Sequence, residues 1–163
     1  MSDHEVDGYR PGLGRILKDH LTQYTSSGGR QGHIIETSAY GNPRITPTLL
    51  LRTRGRRTGK PYVAPLGYGL FGREWVVIAS LGGAPVHPSW YLNLHAHPEC
   101  EMQVATQVFR CAWREAEGEE RQRVWDYMCE LHPLFRRYER TVTNRVIPLI
   151  MLLPLKELPA FPE

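Results

Sequence analysis

Residues 49–80 read LLLRTRGRRTGKPYVAPLGYGLFGREWVVIAS, and this stretch decides the fold. From Thr48 to Arg54 the side chains alternate: Leu49, Leu51 and Thr53 face one way, Leu50, Arg52 and Arg54 the other, which is the period of a strand. A basic turn, GRRTGKP, leads into Tyr62–Tyr68. Gly69 to Gly72 then turns the chain into Glu74–Ser80, rich in Val and Ile. Strand following strand argues for an antiparallel sheet that curls into a barrel. Gly67, Gly69 and Gly72 spell G-x-G-x-x-G, but a dinucleotide fingerprint needs a helix directly after the glycines. Here a strand follows, so the glycines serve a hairpin turn.

The rest of the chain extends this pattern. ASLGGAPVHPSWYLNLHAHPE, residues 79–99, breaks the sheet with glycines and prolines and carries a short helix near Trp90–Leu94. A plain loop needs no Trp90, Tyr91 or Asn93, so the stretch reads as backbone approaching something flat and polar. Glu99–Val104 alternates again, and a turn at Ala105–Gln107 makes a hairpin into Val108–Glu115, with Phe109, Cys111 and Trp113 on one face. Gly118–Leu131 has helical spacing, with Val124, Trp125, Met128 and Leu131 in one stripe. Pro133 opens a second helical piece through Tyr138, and Ile147–Leu153 is an apolar strand closed by Pro154. At the other end, Leu13, Ile16, Leu17, Leu21 and Tyr24 make one face of an amphipathic helix over 13–25. Residues 1–12 read as flexible and 30–45 as irregular. The expectation is one α+β domain over 1–163: about six antiparallel strands in a barrel, with peripheral helices.

Composition excludes several classes. The chain has 163 residues, 41% hydrophobic and 23% charged, with a net charge of only +3; this is the profile of a globular domain with one core. Cys100, Cys111 and Cys129 form no C-x-x-C pair and sit as small apolar residues in strand and helix patterns, so they read as buried thiols in a reducing cytoplasm. MSDHEVDGYR has no apolar leader segment. His87, His95 and His97 lack the spacing of a metal site, and no metal is expected. GRRTGK is one residue short of a Walker A loop, and Pro61 stands where that loop needs Ser or Thr.

The basic turn is the stronger signal. Arg52, Arg54, Arg56, Arg57 and Lys60 lie together with no acid among them. Gly55 and Gly59 let backbone N–H groups converge on an anion, and Arg grips phosphate or carboxylate with a fork. Nucleic acid is not expected, because the remaining cations are scattered and no aromatics interleave with this cluster. Ser80, at a strand end before Gly82 and Gly83, offers a hydroxyl and an N–H. Tyr138, within RRYER, offers a phenol as proton source.

Taken in order, LLLRTRGRRTGKPYVAPLGY, VVIASLGGAPVHPSWYLNLHAHPE, GEERQRVWDYMCELHPLFRRYE and NRVIPLIMLLP resemble the deazaflavin-dependent nitroreductase family, also described as coenzyme F420-dependent quinone reductases. The resemblance covers roughly residues 46–154. It implies a split β-barrel of the FMN-binding type as the core, often paired as a homodimer. It also implies F420, a 5-deazaflavin with a phosphate and a polyglutamate tail. By resemblance, Arg56, Arg57, Thr58 and Lys60 hold the tail. Tyr62, Val63, Ala64, Pro65, Leu66 and Gly67, then Ile78, Ala79, Ser80 and Leu81, then Trp90, Tyr91 and Asn93 complete the cofactor site. Tyr138 and Ser80 are the catalytic candidates. The family pattern is broken at Leu81, where many relatives have Lys or another polar group. Phe135 replaces the first tyrosine of the P-x-Y-x-x-Y helix, and Thr141 stands where some relatives carry an aromatic. The implied activity is hydride transfer from reduced F420 to a small activated acceptor: a quinone, enone or nitroaromatic. FMN is the alternative cofactor, and a non-catalytic deazaflavin carrier the alternative role. Arg15 and Lys18 would let the N-terminal helix lie on a membrane surface near a quinone; packing on the barrel is the competing, favoured reading, because its apolar stretch is short.

Overall fold

The computed structural model describes residues 13–36 and 45–163. The expected flexible segment 1–12, and the part of the irregular region at 37–44, lie outside the described residues. The elements in chain order are α1 (Leu13–Ser26), β1 (Ile34–Glu36), β2 (Ile45–Arg54), β3 (Pro61–Gly67), β4 (Gly69–Phe71), β5 (Glu74–Ile78), a 3-10 turn (Leu81–Gly83), α2 (Ser89–Ala96), β6 (Cys100–Val104), β7 (Gln107–Glu115), α3 (Gly118–Leu131), α4 (Leu134–Thr141) and β8 (Leu149–Leu158). All pairings are antiparallel. The sheet runs β1-β2-β6-β7-β8-β5-β4, and β2 also pairs β3. This is an α+β split β-barrel with helices at its periphery.

Strand alternation sorts the apolar residues into two cores. Leu49 and Leu51 of β2, Ala64 of β3, Val77 of β5, Cys100 and Met102 of β6, Cys111 of β7 and Ile150 and Leu152 of β8 fill the barrel, plugged by Trp90 and Leu94 of α2. The opposite faces of β5 and β8 present Val76, Ile78, Leu149 and Met151 to Val124, Trp125, Met128 and Cys129 of α3 and to Tyr138 of α4. Full burial of one such Leu or Met contributes about 1.5–3 kcal/mol.

Among the described residues eight strands form where about six were expected. The two additions, β1 and β4, are three residues each, too short to display a period, and β4 lies within glycines that also spell a turn. Strand β8 does not stop at Pro154 but runs on to Leu158. Its partner β7 shifts register between Arg110 and Cys111, and Pro154 pairs Cys111 at that shift. A bulge is where a sheet tolerates a residue without an N–H. Leu131 was placed in the apolar stripe of α3 but is 38% exposed; Cys129 takes the buried position.

Helix α1 is fastened to the barrel by polar groups. Tyr24 is fully buried; its hydroxyl donates toward the Thr48 carbonyl at 3.0 Å and the Gln103 carbonyl at 3.3 Å, and accepts from the Ala105 N–H at 2.9 Å. Burial pushes the phenol up to about 12, with the Ala105 N–H opposing the rise and Tyr68 adding to it. His20 donates from Nε2 to the Gly32 carbonyl at 2.8 Å. Desolvation lowers its pKa below 6.5, only partly countered by that hydrogen bond. A His depressed in the folded state binds fewer protons than in the unfolded chain, so its contribution is present above pH 6.5 and is lost as pH falls through the folded pKa. Thermal melts between pH 7.5 and 5 should therefore show stability falling with acidification, and His20→Gln should remove part of that slope.

Candidate functional site

The turn between β2 and β3 is built to hold cations outward. Gly55 N–H donates to the Lys60 carbonyl at 2.7 Å, and Gly59 N–H to the Gly55 carbonyl at 2.8 Å. Gly59 has φ +72°, a left-handed position that favours glycine. The Lys60 N–H donates to Thr58 Oγ1 at 3.2 Å. Arg54, Arg57, Thr58 and Lys60 are exposed. Among the described residues no carboxylate lies within ion-pair distance of Arg54, Arg56, Arg57 or Lys60. Arg52, counted with this cluster in the sequence, is withdrawn from it by Glu101, 3.0 Å away across the β2–β6 pair.

Asn93 locks the turn. Its side chain is 2% exposed. Oδ1 accepts from the Arg56 N–H and from Arg56 Nη1, both at 3.1 Å, and Nδ2 donates to Thr53 Oγ1 at 3.2 Å. The amide is therefore occupied at both ends by the turn and by β2. Trp90, one turn earlier on α2, is 3% exposed and packs inside the barrel. Both side chains are buried, Asn93 against the turn and Trp90 in the barrel core. Tyr91 lies between His87 and His95, with ring centroids 4.8 and 4.7 Å away, and His95 continues onto Trp113 at 5.1 Å. Desolvation, then the neighbouring Glu115 carboxylate, pushes the Tyr91 phenol up to about 12. Tyr62, Val63, Pro65, Leu66 and Gly67 are half-buried along β3, whereas Ala64 points into the barrel core. Ile78 faces the outer core under the helices.

A second group gathers where β5 ends. Ser80 is buried, and the 3-10 turn that follows is tight: Gly83 N–H donates to the Ser80 carbonyl at 3.0 Å, and Ala84 N–H to Leu81 at 3.1 Å. Leu81 has φ +47°, a left-handed conformation that costs a side-chain-bearing residue roughly 1–2 kcal/mol. The Tyr138 ring of α4 lies directly on Gly83: a Cβ there would come within 2.7 Å of Tyr138 Cδ1. The fold thus sets the turn bearing Ser80 against the helix bearing Tyr138, the two catalytic candidates. Phe135 packs within the same group, its ring 6.2 Å from Tyr138. Thr141 is exposed, with its hydroxyl turned back to the Arg137 carbonyl.

Arg145 was missed by the sequence reading. It lies between α4 and β8 and donates to the carbonyls of Ala79, Ser80 and Ala84. It lies in the NRVIPLIMLLP segment that carries the family resemblance, but nothing in that segment gives the Arg a role of its own. Among the described residues, no three His, Cys, Asp or Glu side chains gather as a metal site. All three cysteines are free and buried, and among the described residues no helix is long and apolar enough to cross a membrane.

Residues 16–154 match the family model described as F420H(2)-dependent quinone reductase. The chain is 31% identical over 140 residues to an F420H(2)-dependent quinone reductase of Mycobacterium tuberculosis, spanning 85% of this chain and 89% of the relative. A solved F420-H2 dependent reductase superposes with a TM-score of 0.59 at 36% identity, covering 65% of this chain and 93% of the other. A second solved structure, described as a domain-swapped dimer, gives a TM-score of 0.61 at 31% identity over 83% and 98% of the two chains.

Removing the Asn93 amide leaves Thr53 and the Arg56 N–H without their buried partner, so Asn93→Ala should cost about 1–3 kcal/mol in urea unfolding. Amide exchange of residues 55–60 should quicken in the same variant.

Proposed function

The chain belongs to the F420H(2)-dependent quinone reductase family, and on that premise we propose that it transfers hydride from reduced F420 to a small activated acceptor: a quinone, an enone or a nitroaromatic. Membership brings oxidoreductase chemistry with an F420-type cofactor. The observation that carries the finer reading is the turn Gly55–Lys60. Its exposed Arg57 and Lys60, with Arg54 beside them, have no carboxylate within ion-pair distance among the described residues. That donor set fits a long polyanionic tail. A single FMN phosphate would use only part of it.

Bound in its reduced form, F420 supplies a hydride from C5 of its deazaflavin ring. The protein's own part is binding, orientation and one proton. Arg57 and Lys60 hold the anionic tail, and Asn93, by fixing Arg56, keeps the turn in one shape. A quinone that accepts hydride is reduced by two electrons and left with one anionic oxygen. Tyr138 is the group to give that oxygen its proton, and the Ser80 hydroxyl and N–H orient the reacting partners.

Titration with F420 and with FMN, followed through quenching of the four tryptophans, tests the cofactor. F420 should bind, and Arg57→Ala with Lys60→Ala should weaken it by about tenfold or more, since each charge-assisted hydrogen bond contributes about 1.5–3 kcal/mol. Preference for FMN would move the protein to flavin chemistry, and binding of neither would remove the proposal.

With a naphthoquinone as acceptor, Tyr138→Phe should lower kcat by about a hundredfold or more, the size of a lost general acid, while F420 affinity holds. An unchanged kcat would take Tyr138 out of the mechanism.

A further inference from the structure

The segment joining α4 to β8 grips the Ser80 loop through side chains that donate to backbone. Asn144 Nδ2 donates to the Pro85 carbonyl at 2.8 Å. Arg145 spans a longer stretch: Nη1 donates to Ala79 at 3.1 Å, Nη2 to Ser80 at 2.9 Å, and Nε and Nη2 to Ala84 at 3.1 and 3.0 Å. Nη1 also lies 3.2 Å from His87 Nδ1. A guanidinium only donates, so Nδ1 accepts, and the neutral His87 ring carries its hydrogen on Nε2.

No carboxylate lies within ion-pair distance of Arg145 among the described residues. A half-buried cation that meets only neutral acceptors is desolvated without an ion-pair return, and burial lowers its pKa. Its fork brackets Leu81, whose left-handed backbone is strained. It also ties that turn to the chain leaving α4, the helix of Tyr138. Its positive charge stands directly behind the Ser80 carbonyl.

We propose that Arg145 is a positioning residue for the reduction: it fixes the Ser80–Gly83 turn against Tyr138 and holds His87 as the Nε2–H tautomer. The proposal rests on the reductase reading above. The titratable and charged groups facing His87 are Arg145 from the loop, Tyr91 and His95 from α2, and Glu115 from β7. Burial, then Arg145, lower the His87 pKa, with Glu115 opposing and His95 adding to the depression.

The test compares full-length wild type, Arg145→Gln and Arg145→Lys. In cofactor-free protein, nitrogen NMR shifts of His87 report tautomer and pKa. Wild type should show the Nε2–H form and a depressed pKa. Arg145→Gln should mix the tautomers and raise the pKa, and Arg145→Lys should keep it depressed. With F420H2 and a naphthoquinone, Arg145→Gln should lower kcat by about tenfold or more while F420 affinity stays within about threefold, and Arg145→Lys should recover part of that loss. An unmoved His87, a wild-type kcat, or equal loss in both variants would overturn the proposal. If Arg145→Gln does not fold, Arg145→Lys decides: a lower kcat with His87 still depressed supports the role, and a wild-type kcat overturns it. Wild type that binds no F420 would instead sink the reductase reading, and the His87 shifts would still decide whether Arg145 sets that ring.

Discussion

Strands β5 and β8 are apolar on both faces, and the rest of the molecule depends on it. Val77, Ile150 and Leu152 look into the barrel, while Val76, Ile78, Leu149 and Met151 look out to the helices. A strand with water on one side can slide by two residues and keep its pattern. One buried on both sides is fixed in register by two cores together. The Ser80 turn leaves the end of β5, and Arg145 lies just before β8. The position of the candidate chemistry follows from that double burial.

Polar side chains then set the loops that the cores cannot reach. Asn93 serves one end, joining α2 to the arginine turn and to Thr53 of β2. Arg145 serves the other, gathering carbonyls of Ala79, Ser80 and Ala84. Both satisfy backbone or buried hydroxyl groups that would otherwise be stranded. The two groups of site residues are bridged by one short run of chain, from the 3-10 turn through α2, so an amide and a guanidinium at its two ends determine how that run sits.

Much of this was legible from residue order. Alternation in Thr48–Arg54 and Glu99–Val104 named the strands, and helical spacing placed Gly118–Leu131 to the residue. The acid-free run at Arg52–Lys60 marked the basic turn, from which the structure withdraws Arg52 to Glu101, and the order of four segments pointed to the family. What stayed hidden depends on distant partners. Strands β1 and β4 are too short to show a period and exist because longer neighbours pair with them. Pro154 reads as a stop, and only the shifted register of β7 lets β8 pass it. His20 sits on the buried side of α1 because the Gly32 carbonyl, twelve residues on, meets it there. The hydrogen bonds of Asn93 to Thr53 and Arg56 could not be read from sequence, because those partners lie about forty residues away. The role of Arg145 has no local signature, because its partners are carbonyls more than fifty residues away.

The order of the sheet has a consequence for how the chain comes to be folded. Strand β8 lies between β7 and β5, yet among the described residues it comes after every other strand in chain order. Until it arrives, no strand pairing among the described residues joins β4–β5 to the sheet of β1, β2, β3, β6 and β7, and each part ends in an open edge beside unburied apolar side chains. Closure is a long-range event that local contacts cannot hasten. During synthesis these edges stand open to other chains, the situation in which nascent proteins aggregate or exchange strands. The final strand both completes the barrel and removes that hazard.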